Sequence, residues 1–258
     1  MRFDGKVAVV TGGGRGMGKA VALLLAKEGA SVAIFDILEE HAISVANEIS
    51  SLGSKALSIR VDVSSPEEVR KAFLEVDQKL GEVDILVNAA GIQRVASILD
   101  EDVASWNRVI DVNLTGTFLC CKEACKRMIP KRCGKIVNFG SAAGLVGVQC
   151  MLSYSASKFG VIGFTQALAL EVGKYGINVN AVCPGCVDTD MWRETREGFA
   201  RYTGKSPEEQ FQETASSAPL GRVGNVDDIA RVVAFLCSDD ASYVTAQSIS
   251  VCGGMRPH

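Results

Sequence analysis

Lys6-Val-Ala-Val-Val-Thr11, running straight into Gly12-Gly-Gly-Arg-Gly-Met-Gly18, decides how this chain is read. The first six residues form a short apolar run bounded by glycine, the pattern of a strand buried on both faces. From Gly16 to Glu28 the apolar residues take helical spacing, and Gly29 ends the pattern. A glycine turn between strand and helix lets backbone come close to an anion. The helix start then offers unpaired N–H groups and the positive end of its dipole. Gly12, Gly14, Arg15, Gly16, Met17 and Gly18 are therefore expected to cradle the phosphates of a nucleotide. A tight turn alone would also call for glycine, so the loop needs support from the rest of the chain.

Outward from this unit the alternation continues. Ser31–Asp36, Lys55–Asp62, Asp84–Asn88, Lys135–Phe139, Ile177–Cys183 and Ser248–Val251 read as further buried strands. Helical stretches separate the early ones, one running to about Leu52. Ser65-Pro66-Glu67-Glu68 opens another, with Ser65 as cap, Pro66 at the first helical position and Glu68 placed to complete a capping box. Strands alternating with helices give right-handed crossovers, hence an α/β fold with a doubly wound parallel sheet. No linker or repeat interrupts it, so residues 1–258 are expected to form one domain. The stretch 188–218, rich in Glu, Arg, Thr and Ser with scattered aromatics, breaks the alternation. It is expected to be a mobile helical lid.

Composition narrows the function classes. The chain has 258 residues, 47% of them hydrophobic, with a formal net charge of -3. That is enough apolar residue for a large core. No basic block points to nucleic acid or an anionic membrane. The Val7–Val10 run is too short for a signal-peptide core or a membrane span, so a cytoplasmic protein is expected. Nine cysteines in an enzyme-sized chain read as reduced thiols. Cys183-Pro-Gly-Cys186 has a CxxC spacing, but no second pair accompanies it and the chain has two histidines. No metal site is expected.

Asp36 closes the second strand, 18 residues after Gly18. A carboxylate there accepts hydrogen bonds from ribose hydroxyls and repels a 2′-phosphate, which favours NAD over NADP. Arg15 pulls weakly the other way, and helix capping is the alternative role for Asp36. Asp62 and Val63 stand where a third strand ends and would border an adenine. Asn88, Ala89, Ala90 and Gly91 supply small residues where backbone must pass close to a cofactor.

Tyr154 and Lys158 are four apart at the start of a long helix reaching about Tyr175, so both face one side. A free tyrosine titrates near 10 and is a poor base at neutral pH. Moving it down by about three units needs roughly 4 kcal/mol, which a close, partly desolvated ammonium could largely supply. Tyr154 would then exchange a proton with a substrate oxygen. Ser141, 13 residues earlier, could hydrogen-bond the same oxygen. Separately, a surface Tyr–Lys pair and a strand-end serine would be ordinary structural features.

Together, Thr11-Gly-x-x-x-Gly-x-Gly18, Asn88-Ala-Ala-Gly91, Asn113, Ser141, Tyr154-x-x-x-Lys158 and Pro184-Gly185 resemble the short-chain dehydrogenase/reductase family. They come in that family's order across nearly the whole chain. The resemblance implies a seven-stranded Rossmann-like sheet, usually a homotetramer, and an oxidoreductase acting on alcohols or ketones. It implies that Asn113, Ser141, Tyr154 and Lys158 are catalytic, with Asn113 holding a water that links Lys158 to solvent. It also implies that Pro184, Gly185, Val187 and Thr189 meet the nicotinamide half of the cofactor. Two departures stand out. Cys183 occupies a position where many relatives have Asn, and Val251-Cys252-Gly-Gly254 has Cys where Asp is usual.

Substrate contacts are expected from Gln93, Ser141, Gln149, Tyr154 and Trp192. Thr189-Asp-Met-Trp192 and Thr245-Ala-Gln247 are similar to stretches in acetoin/butanediol and sugar-alcohol dehydrogenases, which points to a small polyol or hydroxyketone. An NADPH-dependent 3-oxoacyl-carrier-protein reductase is the competing enzyme reading. A nucleotide-sensing protein without activity is the competing reading of another class, although such a protein would not need both Tyr154 and Lys158. The apolar helix half Phe159–Leu170 is expected to be buried all round or to lie between subunits.

Overall fold

Seven parallel strands form one sheet in the computed structural model, which describes residues 1–256. They are β1 (Val7–Thr11), β2 (Ser31–Asp36), β3 (Ala56–Arg60), β4 (Ile85–Asn88), β5 (Gly134–Phe139), β6 (Ile177–Pro184) and β7 (Ser248–Val251). Their spatial order is β3-β2-β1-β4-β5-β6-β7. This is the expected doubly wound, Rossmann-like arrangement. Winding reverses between β1 and β4, whose ends Thr11 and Asn88 lie side by side. Such a reversal opens a crevice at the strands' carboxyl ends, where ligands bind.

The core lies in two layers, one on each face. Strand β1 shows no alternation of apolar and polar residues because both its faces are covered. Ala8 and Val10 pack on one side, Val7 and Val9 on the other. Helices α1 (Gly16–Lys27), α2 (Glu39–Ser51) and α9 (Val226–Cys237) cover the first face. Helices α3 (Pro66–Lys79), α5 (Gly116–Lys131) and α6 (Leu152–Val172) cover the second. The short α4 (Val103–Ile110) runs into α5 through one π-helical segment, Asp111–Thr115.

One local detail differs from the sequence reading, at the start of α3. Ser65 does cap α3, its Oγ accepting from Glu68 N at 3.3 Å. The Glu68 carboxylate, however, accepts from Asp62 N at 3.0 Å, tying α3 to the end of β3 rather than closing a reciprocal box. The segment expected to be a mobile helical lid forms two helices, α7 (Asp190–Thr203) and α8 (Pro207–Ser217), with α7 bonded to the loop after β4. Gln93 Nε2 donates to Met191 O at 2.6 Å and to Thr195 Oγ1, and Tyr202 OH donates to Asp100 at 3.0 Å. The Trp192 and Phe211 rings meet at 5.4 Å with the Arg196 guanidinium over both.

Candidate active site

The glycine loop is built for close backbone approach. A Cβ on Gly18 would strike Gly12 O, so α1 starts against the turn that precedes it. A Cβ on Gly14 would come within 2.7 Å of Asp36 Oδ2 and of His41 Cβ. That gap lets Gly14 N donate to Asp36 Oδ2 at 2.9 Å. The other carboxylate oxygen accepts from Leu38 N at 3.0 Å. Asp36 thus stands buried at the end of β2, held by two backbone amides and fixed beside the loop. Helix α1 begins with no side-chain cap and no acidic residue in its first turn, so its N-terminal amides and dipole stay open to an anion.

One polar atom here has no partner. His41 Nδ1 is buried without a hydrogen bond, next to Gly14 and Asp36. A buried polar atom normally finds a partner, and an adenosine ribose or base would supply one. The sequence reading did not single out His41; its position in the first turn after β2 was the available signal. An uncapped helix, a cradle that a Cβ would fill and an orphaned imidazole nitrogen together fit a dinucleotide.

The remaining cofactor candidates separate into two groups. Met17, Ala89, Gly91, Pro184, Gly185, Val187 and Thr189 line one cavity of about 380 Å³. Thr189 caps α7, accepting from Trp192 N at 3.3 Å, and its methyl approaches Gly16. Asn88 turns inward, with its own Oδ1 buried without a partner among the described residues. Its Nδ2 donates to Asn138 Oδ1 at 2.8 Å and its side chain is buried between β4 and β5. Val63 packs under Gly116, and Asp62 accepts from Ser64 and pairs with Arg108 at 3.2 Å. Arg15 is exposed.

Ser141, Tyr154 and Lys158 all line the same cavity. Ser141 follows β5 in extended backbone, its Oγ accepting from Ala143 N at 3.1 Å and reaching the Tyr154 hydroxyl. Lys158 is buried one turn along α6. Its Nζ donates to Phe139 O at 2.7 Å and lies 5.6 Å from the Tyr154 ring centre. Burial brings the amine down to about 8. Burial also pushes the Tyr154 phenol above its ordinary value, with the Ser141 hydroxyl pulling the other way. The ammonium expected to favour the phenolate therefore acts against the burial of the same site, and the positive charge of a bound nicotinamide would act in the same sense as the ammonium.

Asn113 lies in the π-helical segment, fully buried. Its side chain accepts from Ile92 N and donates to Ile92 O, both at 2.9 Å, and donates to Ser157 Oγ at 3.0 Å. It therefore fixes the loop carrying Gly91, whose Cβ position would be 3.6 Å from Lys158 Nζ. Gln93 and Trp192 line the cavity, whereas Gln149 is exposed and its neighbours Val148 and Met151 form the wall. The cysteines of the CxxC stretch are free thiols among the described residues. Ser141 N donates to the Cys183 sulfur, and the Trp192 side chain donates to that of Cys186. Among the described residues no cluster of metal-ligating side chains occurs, and no helix is long and apolar enough to cross a membrane.

A dinucleotide crevice beside a serine, a tyrosine and a buried lysine defines an oxidoreductase acting on CH–OH groups. The profile of the family described as "short chain dehydrogenase" matches residues 6–199. The chain is 41% identical, over 99% of both sequences, to a 3-oxoacyl-[acyl-carrier-protein] reductase of Aquifex aeolicus (strain VF5). Among solved structures, NAD+-bound xylitol dehydrogenase superposes with TM-score 0.96 at 35% identity, over 98% of this chain and 100% of that one. Levodione reductase gives 0.94 at 32% identity over 99% of each chain. The protein belongs to the short-chain dehydrogenase family and is an NAD(P)-dependent oxidoreductase.

Proposed function

We propose that the protein transfers a hydride between NAD(H) and a small secondary alcohol or its ketone, with Tyr154 as the proton donor and acceptor. The observation that carries this reading is the meeting of Ser141, Tyr154 and Lys158 on one cavity wall beside the glycine crevice. Bound nicotinamide supplies or takes the hydride. Ser141 holds the reacting oxygen and Tyr154 gives it a proton during reduction. Lys158, near 8, lies in the range where it can hold or release a proton at neutral pH, and so can restore the Tyr154 proton. Asn113 is a positioning residue that keeps the Gly91 loop against Lys158. Tyr154→Phe is expected to keep NADH binding and to lose roughly 10³-fold in turnover. Unchanged turnover would reject the mechanism.

NAD is favoured because a 2′-phosphate would face the Asp36 carboxylate, which is pinned by Gly14 N and Leu38 N and cannot swing aside. The second reading, an NADPH-dependent 3-oxoacyl-carrier-protein reductase, is favoured by the 41% identity to the Aquifex enzyme of that name. Turnover with NADPH exceeding that with NADH would decide for it. The sugar-alcohol similarity around Thr189–Trp192 belongs to the lid, while Val148, Met151 and Phe199 give the cavity an apolar wall. We therefore place a polyol behind a less hydroxylated ketone.

We further propose a cytoplasmic homotetramer in which each chain, 1–258, acts as one domain under its own lid at 188–218. Leu170, Leu99 and Val103 are largely exposed apolar side chains on or beside α4 and α6, and Phe159 is half-exposed. Sedimentation at micromolar concentration is expected to show the oligomer, and monomer alone would reject it.

A further inference from the structure

Among the described residues two formally charged side chains line the active-site cavity, Lys158 and Arg256, and no carboxylate does. Lys158 is buried and already donates to Phe139 O. Arg256 is exposed and makes no ion pair or side-chain hydrogen bond with the described residues. It comes from the tail beyond β7, which the sequence reading left without a role.

The tail is folded so as to bring Arg256 there. Gly253 and Gly254 both take positive φ, 63° and 89°, turning the chain back on itself. Cys252 then acts as the acceptor that a carboxylate would otherwise be. Its sulfur takes a hydrogen bond from Arg256 N at 3.3 Å and from Ser250 Oγ at 3.1 Å. Met255 N donates to Cys252 O at 3.2 Å, which seats Met255 in the cavity wall beside Gly185. The guanidinium is held close enough to Cys186 to act on its thiol. The cavity therefore has an apolar wall of Val148, Met151, Met191, Phe199 and Met255, with a cation at its edge that has no ion pair among the described residues.

Such a site discriminates by charge. A neutral polar substrate can accept a single hydrogen bond from an unpaired guanidinium but gains no charge pairing from it. An anion entering an apolar cavity needs a partner, and a guanidinium gives a carboxylate two parallel hydrogen bonds. We infer that the substrate is a ketone, or the corresponding alcohol, with an apolar body and a carboxylate-like anionic end that Arg256 binds. This inference rests on the dehydrogenase reading above and specifies the substrate class of that site.

The test compares levulinate, a keto acid, with its uncharged methyl ester, using the NADH complex of the wild type, Arg256→Met and Arg256→Lys. In Arg256→Met the acid is expected to lose roughly 10- to 100-fold in kcat/KM, mostly through KM. The ester should change less than about twofold, and Arg256→Lys should recover part of the loss. A second readout does not depend on turnover: quenching of Trp192 fluorescence by valerate and by valeramide in a Trp106→Phe background. Valerate binding should weaken in Arg256→Met and valeramide binding should not. Equal effects on charged and neutral ligands would overturn the inference. So would an equal loss of NADH affinity, which would assign Arg256 to the cofactor. Failure of the wild type to oxidise NADH with any ketone would instead overturn the dehydrogenase reading, with valerate binding still deciding on Arg256.

Discussion

Replacing Lys158 by Met keeps a side chain of similar length in its buried channel and removes the charge. Burial takes this amine from 10.5 to about 8. The difference, about 2.5 units, corresponds to roughly 3 kcal/mol by which the fold prefers the neutral amine. The folded value lies below the unfolded one, so between about pH 8 and 10.5 the unfolded chain binds more protons. Stability from this group therefore rises with pH across that window. Below about pH 8 the ammonium is charged in both states and the whole penalty stands. Lys158→Met lifts the penalty but forfeits the 2.7 Å hydrogen bond to Phe139 O, a loss of about 1 kcal/mol. The variant should then be about 2 kcal/mol more stable than wild type near pH 7. Integrating the two titrations, about 2 kcal/mol of that advantage is gone by about pH 9.5, where the proteins converge.

Buried thiols work in the opposite sense. Cys120 and Cys237 are pushed up to about 12 by burial, and Cys125 to about 11. The unfolded chain loses those protons first, so absolute stability falls as pH rises through about 9. Both proteins carry these thiols, so they cancel in the difference. Cys183, which faces Lys158, is raised to about 11 and stays neutral below about pH 9.5. The assay is urea unfolding at fixed protein concentration from about pH 6.5 to 9.5, with equal m-values required. Stability curves that stay parallel with pH, or a variant less stable near pH 7, would refute the desolvated-amine argument. The same variant should lack turnover, which makes Lys158 a group retained for chemistry at a cost in stability.

Asp36→Ser removes the charge facing the ribose and should raise the NADPH-to-NADH ratio of kcat/KM by at least roughly tenfold, since unlike hydroxyl a carboxylate repels a nearby phosphate; an unchanged ratio would place the 2′-position elsewhere. Gly14→Ala puts a methyl within 2.7 Å of Asp36 Oδ2 and His41 Cβ. It should weaken NADH binding, measured by fluorescence titration, by roughly tenfold or more, if both residues border the ribose as proposed. Full affinity in that variant would mean that the loop has another conformation when it binds.

Why some of this was legible in sequence and some not comes down to reach along the chain. Thr11–Gly18 could be read because a buried strand, a glycine turn and a helix start are each local signals and occur together. Tyr154 and Lys158 could be read because helical geometry makes residues four apart neighbours, and α6 does begin just before them, at Leu152. Ser141 and Asn113 required the resemblance, since only the fold brings the end of β5 and the π-helical segment to that helix. Asn88 shows the limit of small-residue logic. It sits in the stretch expected at the cofactor, where its amide nitrogen donates inward to Asn138 while its Oδ1 stays buried without a partner among the described residues. Spacing gives the proximity of an ammonium, but not the burial that raises the phenol and lowers the amine together. Arg256 was beyond reach for another cause. Its place depends on two glycines at positive φ and on a thiol accepting from its amide, and a turn of that kind leaves no periodic trace. The specificity proposed for Arg256 would thus rest on the part of the chain with the weakest sequence pattern, and the proposed chemistry on the part with the strongest.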